Sequence, residues 1–151
     1  MNLRSLRESS ELLTRLSNTE LEFFETVAQE TRLANGEILF EEGGAAENFF
    51  IVVTGKIGLE MTIPGRAPVV IQTLGPGDLL GVSWFFPPYR WNWRARALED
   101  TTLVAFDALE VRHRCEANRD LAFEVQGVVA EEVVRRLHRT RIQLLDVYRT
   151  T

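Results

Sequence analysis

The sequence is poor in the residues that most often carry catalytic or metal chemistry. Its 151 residues include one cysteine, Cys115, two histidines, His113 and His138, and one lysine, Lys56. A single cysteine excludes an intrachain disulfide and gives no sign of an oxidising compartment. No apolar run approaches the roughly 18 residues of a membrane span, and the N-terminal residues lack a signal-peptide pattern. We therefore predict a cytoplasmic protein that does not associate with membranes.

The same shortages exclude several classes of function. Both histidines fall in the C-terminal part of the chain, so the strands offer no histidines that could converge on a metal. No nucleophile elbow, phosphate-loop lysine motif or Cys-His pair is present. The formal net charge of −5 argues against a surface for nucleic-acid phosphates. We predict no catalytic residues, no metal site, no enzyme activity and no direct DNA binding.

The N-terminal part of the chain, residues 1–34, predicts helices. Leucines recur from Leu3 to Leu16 at loose helical spacing, which indicates an amphipathic lead-in helix. Ser17 and Glu20 have the spacing of a capping box, in which the carboxylate reaches back to the first turn, and the helix they begin is predicted to run through Ala28.

From residue 35 to residue 106 the pattern changes to short β-rich runs bounded by glycine and proline. These runs are Ile38 to Phe40, Phe49 to Val53, Ile57 to Met61, Val69 to Leu74 and Leu103 to Phe106. No segment between them is long enough for a crossover helix, so a parallel sheet is excluded. The chain length and 45% hydrophobic content suit one domain over residues 1–151, mainly β with flanking helices, with a jelly-roll or compact barrel at its centre.

Residues 107–151 predict helices again, a short one over 107–117 and a long one over Arg119 to Tyr148. An apolar stripe runs along the long helix and comprises Ala130, Val133, Val134, Leu137, Leu144, Leu145 and Tyr148. We expect part of this stripe to cover the barrel and part to pair with a second copy, which makes Val133, Leu137, Leu144 and Tyr148 the predicted dimer interface. The arginines 135, 136, 139 and 141 spread around the helix, so we predict a solvated face paired with Glu131 and Glu132.

The segment 75–97 stands apart in composition. It holds all three tryptophans and six aromatic residues between Trp84 and Trp93, together with three of the five prolines. Glycines and prolines at this density require tight turns around a large apolar mass. We therefore predict that this segment forms a shaped site.

The spacing of several motifs resembles the cyclic nucleotide-binding domain family. They are Gly36-Glu37-x-Leu39-Phe40-x-Glu42-Gly43, Phe50-Ile51-Val52-x-x-Gly55, Gly75-x-Gly77-Asp78-x-x-Gly81 and Arg96-Ala97-x-Glu99-Asp100. The resemblance implies a jelly-roll β-barrel, a phosphate-binding cassette between two strands, and a long final helix that forms dimers. It also implies ligand-responsive signalling. In bacterial regulators of this type a helix-turn-helix domain follows the long helix, and we expect this chain to be a stand-alone domain without one.

The cassette departs from the family pattern where the resemblance implies contacts to the cyclic phosphodiester. Val82 follows Gly81 where the family has a glutamate, and Trp91 stands where it has the phosphate-binding arginine. Asn92 and Trp93 replace the next two family residues. Arg90 could bind the phosphate if the turn shifted by one residue. Such a slip sends alternate side chains to the opposite face, so Arg90 would need a bulge or the preceding loop to point inward. Arg94 and Arg96 are expected to face away from the site.

Three interpretations of the aromatic cluster remain open. The rings could fill the pocket and close it, they could line a pocket for a different and more apolar ligand, or a cyclic nucleotide could stack on them with Arg90 and the backbone amides of residues 81–84 holding its phosphate. The candidate ligand-binding residues are Gly81, Val82, Ser83, Trp84, Tyr89, Arg90, Trp91, Asn92 and Trp93. We predict a non-enzymatic regulatory module that acts through protein partners. The alternatives are a true cyclic-nucleotide receptor and a structural interaction domain, and no cofactor is expected beyond a cyclic nucleotide.

Overall fold

The computed structural model describes residues 2–149, and within them it has eight strands and five α-helices. In chain order the elements are α1 (Arg4–Arg7), α2 (Glu11–Thr14), α3 (Asn18–Thr26), β1 (Ala28–Leu33), β2 (Ile38–Phe40), β3 (Asn48–Thr54), β4 (Ile57–Met61), β5 (Val69–Leu74), β6 (Leu79–Leu80), β7 (Arg94–Ala97), β8 (Thr101–Asp107), α4 (Ala108–Ala117) and α5 (Arg119–Arg149). A 3-10 turn, Ser83–Phe85, lies between β6 and β7. In this part of the chain no helix combines the length and apolar character needed to cross a membrane.

The strands form two four-stranded antiparallel sheets. One has the order β1-β8-β3-β6 and the other β2-β7-β4-β5. Sequence neighbours often lie in different sheets, so the chain crosses repeatedly between the two layers, as in a jelly roll. The predicted fold class, mainly β with flanking helices and a long C-terminal helix, is confirmed.

The prediction that residues 1–34 are helical is wrong in its last part. Helix α3 ends at Thr26, and β1 pairs along its whole length with β8. The sequence pattern does not predict this strand because Gln29, Glu30 and Arg32 are exposed at the edge of the sheet. At this edge the backbone can pair with β8 while few apolar side chains are buried. The single helix predicted for the lead-in segment is divided into two short helices. The second of these, α2, begins after Ser10, whose side chain accepts a hydrogen bond from the Leu13 amide at 3.2 Å.

Glu20 makes different contacts from those of a capping box. Ser17 does cap α3 by accepting from the Glu20 amide at 3.2 Å. The Glu20 carboxylate, however, is buried and accepts from Arg114 Nε at 3.0 Å and from Asn118 Nδ2 at 2.9 Å. It therefore joins α3 to the end of α4 instead of closing its own first turn.

The core beneath the helices is aromatic. Phe49 of β3 stacks between Trp84 and Phe106, with ring centroids at 4.1 and 5.0 Å, and Phe24 of α3 meets Phe106 at 5.6 Å. All four side chains are fully buried. This cluster fixes the start of the segment 75–97 to the sheet, because Trp84 lies in the 3-10 turn.

Helix α5 faces the barrel with a different stripe from the predicted one. Its buried residues are Leu121, Val125, Val128, Val129, Glu132 and Arg136. The predicted stripe is exposed from Val133 onwards, with Val133, Leu137 and Leu144 exposing 41%, 60% and 56% of their surface. The expectation that this stripe covers the barrel is therefore wrong. So is the expectation that Glu132 and Arg136 are solvated.

Candidate ligand-binding site

The cassette is a loop that leaves one sheet and enters the other. Strand β6 ends at Leu80 and is followed by Gly81, whose φ of +106° lies in the region that favours glycine. The 3-10 turn and Phe86-Pro87-Pro88 follow, with a cis bond between the prolines. The chain then passes Arg90, which bridges to Ala45, before it enters β7. Residues 81–93 therefore lie between the two sheets on one flank of the barrel.

Trp91 fills the position that the resemblance gives to a phosphate-binding arginine. Its side chain is buried and stacks on Phe40 with ring centroids 3.9 Å apart and planes 9° apart. A Cβ built on Gly81 would lie 2.8 Å from Trp91 Cη2, so the indole closes directly over the cassette glycine. The Trp91 side chain is uncharged, and the residue after Gly81 is Val82, whose side chain supplies no acceptor for a ribose hydroxyl.

Arg90 does not take over the missing role in this structure. Its side chain is exposed, and Nη1 donates to the Gly43 carbonyl at 3.4 Å. Asn92 is also exposed, and its Nδ2 donates to Ser83 Oγ at 3.5 Å. Both side chains therefore lie at the rim of the cassette.

Arg94 and Arg96 face away from the cassette, as predicted from strand alternation. Arg96 Nε donates to both carboxylate oxygens of Glu60, at 3.2 and 3.3 Å, and Arg94 donates to Glu41. The intervening Ala95 is fully buried. These two arginines therefore serve the outer face of the sheet and hold no ligand in the cassette.

Two further candidate residues serve the structure of the loop. Trp84 is fully buried, and its Nε1 donates to the Gly81 carbonyl at 3.0 Å. Tyr89 has a φ of +56°, and the Arg112 guanidinium lies 3.9 Å above its ring. Arg112 Nη1 also donates to the Trp84 carbonyl at 2.7 Å, so one side chain of α4 holds both ends of the loop.

An open cavity of about 790 Å³ lies between the cassette and α5. Of the candidate residues, it is lined by Val82, Ser83, Arg90, Asn92 and Trp93, whereas Gly81, Trp84, Tyr89 and Trp91 do not line it. Sequence reasoning missed the rest of the lining, which is Phe86, Pro87, Pro88, Ala130, Val133, Val134, Arg136, Leu137 and Thr140. The apolar stripe of α5 was the signal that could have predicted these lining residues on the helix, because apolar side chains that the barrel does not cover are available to line a cavity.

Arg136 is a buried cation in the helix wall of this cavity. Its Nε donates to Gln72 Oε1 of β5 at 3.0 Å, and its Nη2 lies 3.8 Å from Glu132 Oε1. The Glu132 carboxylate in turn accepts from Gln72 Nε2 at 2.9 Å. Burial lowers the pKa of the Arg136 guanidinium, and the neighbouring Glu132 charge opposes that shift.

Two further features of the described residues concern metal binding and thiol reactivity. Within residues 2–149 no group of three or more histidine, cysteine, aspartate and glutamate side chains could hold a metal ion. Burial raises the pKa of the Cys115 thiol to about 11, with the Glu20 charge acting in the same direction. The thiol is therefore protonated at neutral pH.

Taken together, two antiparallel sheets in jelly-roll order, a cassette between them and a long final helix define a regulatory-domain fold of cyclic nucleotide-binding type. The family model described as cyclic nucleotide-binding domain matches residues 30–118 of this chain. The chain belongs to that family. The scaffold is the feature that the chain shares with the family.

Comparison with individual proteins agrees with this assignment. The chain is 24% identical over 112 residues to a CRP-like cAMP-activated global transcriptional regulator of Mycobacterium tuberculosis, which covers 74% of this chain and 48% of that protein. It therefore spans about half the length of the curated relatives it matches. Among solved structures, a protein from Geobacter metallireducens GS-15 named for cyclic nucleotide binding has a TM-score of 0.80 at 25% identity, over 91% of this chain and 99% of that one. Thermus thermophilus catabolite activator protein shares the fold, with a TM-score of 0.71 at 24% identity over 92% and 63% of the chains.

Proposed function

We propose that this chain is a non-enzymatic, ligand-sensing regulatory domain whose phosphate site for cyclic nucleotides is closed. The observation that carries the proposal is the buried Trp91 ring, stacked on Phe40 and packed over Gly81. A cyclic phosphodiester at this place would meet an indole face where it needs a cation. The regulatory relatives support a sensing role, and the cavity beside α5 offers space for a different ligand.

The energetic penalty for a cyclic nucleotide favours the closed phosphate site. An anion buried without its bidentate cation loses on the order of 2–5 kcal/mol, by analogy with truncated buried charge pairs. Arg90 could offset part of this loss only by leaving the Gly43 carbonyl and turning inward. Trp91 would also have to leave a stacked, buried position. A genuine cyclic-nucleotide receptor is therefore the second candidate.

Calorimetric titration with cyclic AMP and cyclic GMP tests the closed phosphate site. We expect no binding at millimolar nucleotide and no change in tryptophan fluorescence, since all three tryptophans lie in the cassette. Micromolar binding that is abolished by Arg90→Ala would establish the receptor alternative and reject the proposal. Arg94→Ala is the matched control, because this arginine faces Glu41 on the outside of the sheet.

We further propose that the domain forms a homodimer through α5. The exposed residues Leu137 and Leu144 are seven positions apart, so a paired helix can bury both in one seam, and Leu137 also lies at the edge of the cavity beside the cassette. Leu137→Glu is expected to convert the dimer to a monomer in light scattering coupled to size exclusion. Arg139→Glu, two residues on and about 200° around the helix, is expected to leave the mass unchanged. A monomeric wild-type chain at micromolar concentration would contradict this proposal.

We also propose that the domain regulates a protein partner in the cytoplasm. The net charge of −5 gives this chain a poor surface for DNA phosphates. A gel-shift titration with random-sequence duplex DNA is expected to show no retention at 150 mM salt. Retention at micromolar protein would require a DNA-directed function instead.

A further inference from the structure

The cavity between the cassette and α5 combines apolar walls with an unsatisfied buried cation. Arg136 exposes only 7% of its surface and lines the cavity. Within residues 2–149 its side chain makes one hydrogen bond, from Nε to Gln72, and its buried Nη2 has no acceptor. A guanidinium carries five N–H donors, and leaving buried donors unpaired is unfavourable. Although Glu132 Oε1 lies 3.8 Å from Nη2, the described residues leave most of the Arg136 donors without a hydrogen bond.

We propose that the cavity binds a monocarboxylate with an aromatic or aliphatic body, and that Arg136 holds its carboxylate. This inference rests on the sensing role proposed above and names the class of ligand. The carboxylate would bind at the α5 wall of the cavity, away from Trp91, which does not line the cavity. The binding mode is thus distinct from phosphate recognition by the cassette.

The walls of the cavity select the body of the ligand. Phe86, Pro87 and Trp93 form the cassette side, and Val133 and Leu137 form part of the helix side. An aromatic or branched aliphatic group would bury apolar surface against both walls. A volume of about 790 Å³ accommodates a molecule larger than a simple inorganic anion.

The charges around the cavity select a head group with one negative charge. Arg90 and Arg136 line it, and no aspartate or glutamate does. Glu132, however, lies behind Arg136 with Oε1 at 3.8 Å from Nη2, so it neutralises part of the guanidinium charge. A doubly charged phosphate would be repelled by this carboxylate more strongly than a carboxylate ligand would be. The planar fork of the guanidinium suits a bidentate carboxylate.

The test uses matched pairs of acid and neutral amide, 3-phenylpropionate with 3-phenylpropionamide and octanoate with octanamide. Calorimetry on the full chain at pH 7.5 is expected to show each acid binding at least about tenfold more tightly than its amide, because a charge-assisted pair is lost in the amide. Arg136→Gln is expected to remove this preference, whereas Arg90→Gln at the rim is expected to change acid affinity less than about threefold. Binding should also quench tryptophan fluorescence, and Trp93→Phe should remove that signal.

A second variant keeps the test decisive if Arg136→Gln fails to fold. Ala130 is exposed and lines the cavity, so Ala130→Phe fills the space without touching the Arg136 to Gln72 hydrogen bond. We expect Ala130→Phe to abolish acid binding. Equal affinity for acid and amide, unchanged acid binding in Arg136→Gln or Ala130→Phe, or no binding by either acid would each overturn the inference.

Three other outcomes separate this inference from the proposals above. If Arg136→Gln lowers the dimer mass without affecting the acid preference, the guanidinium belongs to the subunit interface and the ligand assignment is wrong. If cyclic AMP binds and the acids do not, both the closed phosphate site and the acid site are rejected. If none of these ligands binds, the acid site alone is rejected, and the closure by Trp91 stands.

Discussion

Replacing Trp91 by alanine tests whether the indole is part of the core or a movable cover. The ring is 6% exposed and stacks on Phe40 with centroids 3.9 Å apart. Truncating a buried tryptophan typically costs about 3–5 kcal/mol, which includes the cavity left behind. Loss of the aromatic pair accounts for about 0.5–1.5 kcal/mol of that cost. We therefore expect Trp91→Ala to lower the free energy of unfolding by about 3–5 kcal/mol.

The assay is urea denaturation followed by circular dichroism, at one fixed chain concentration because dimerisation would add to stability. In thermal unfolding the same loss corresponds to a decrease in Tm of about 6–20 °C for a chain of this size. Trp91→Phe retains the stacking partner and should lose less than about half as much. Trp93→Ala is the control, because this half-buried ring lines the cavity, and it should cost about 1 kcal/mol.

An equal loss for Trp91→Ala and Trp93→Ala, or a loss below about 1 kcal/mol for the former, would refute the closed-site reasoning. It would mean that the indole does not hold the cassette against the barrel, so the position over Gly81 could open for a ligand.

Three further predictions concern stability and reactivity. Gly55→Ala should cost at least about 2 kcal/mol more than Gly36→Ala in urea denaturation. Both glycines have positive φ, but a Cβ added at Gly55 would lie 2.6 Å from the Asp100 carbonyl oxygen, whereas a Cβ added at Gly36 would have no neighbour within 4 Å. Glu20→Ala should lower the free energy of unfolding by about 1–3 kcal/mol through loss of the charged hydrogen bonds from Arg114, whereas Glu20→Gln should lose less. At pH 8.5 iodoacetamide should label Cys115 in the native chain about a hundredfold more slowly than in urea, because its pKa of about 11 keeps the thiol protonated. The free energy of unfolding should accordingly fall as pH rises from about 9 to about 11, where the unfolded thiol ionises first; equal labelling rates or a flat pH profile would contradict this.

Much of the fold could be predicted because its strands are regular and its turns are marked by glycine. The runs beginning at Ile38, Ile57 and Val69 became β2, β4 and β5 with the predicted bounds. Strand β1 could not be predicted because its polar residues carry no alternating apolar pattern, and its partner β8 lies 68 to 78 residues away in the chain. Long-range pairing of this kind leaves no local signal.

The candidate site was predicted in its cassette half and missed in its helix half. Substitution of the family arginine by Trp91 could be read directly from the sequence. The burial of Arg136 could not, because the four arginines of this region are chemically alike. Only the register of α5 against β5, which brings Gln72 to Arg136 at 3.0 Å, distinguishes this arginine from its neighbours. The spacing of Val125, Val129 and Glu132 continues to Arg136 and, in retrospect, marks the buried stripe.

Helix α5 is about 46 Å long, yet the side chains that it buries end at Arg136. The remaining residues to Arg149 extend about 20 Å further, with Gln143 making one exposed hydrogen bond to the Val70 carbonyl. A tilt of about 10° at Arg136 would therefore displace the tip of the helix by about 3–4 Å, by the geometry of a rigid rod. The residue that anchors the rod also lines the cavity. A molecule that reorients Arg136 would therefore act where α5 leaves the barrel, and a small tilt there would produce a larger displacement at the C-terminal end of the helix.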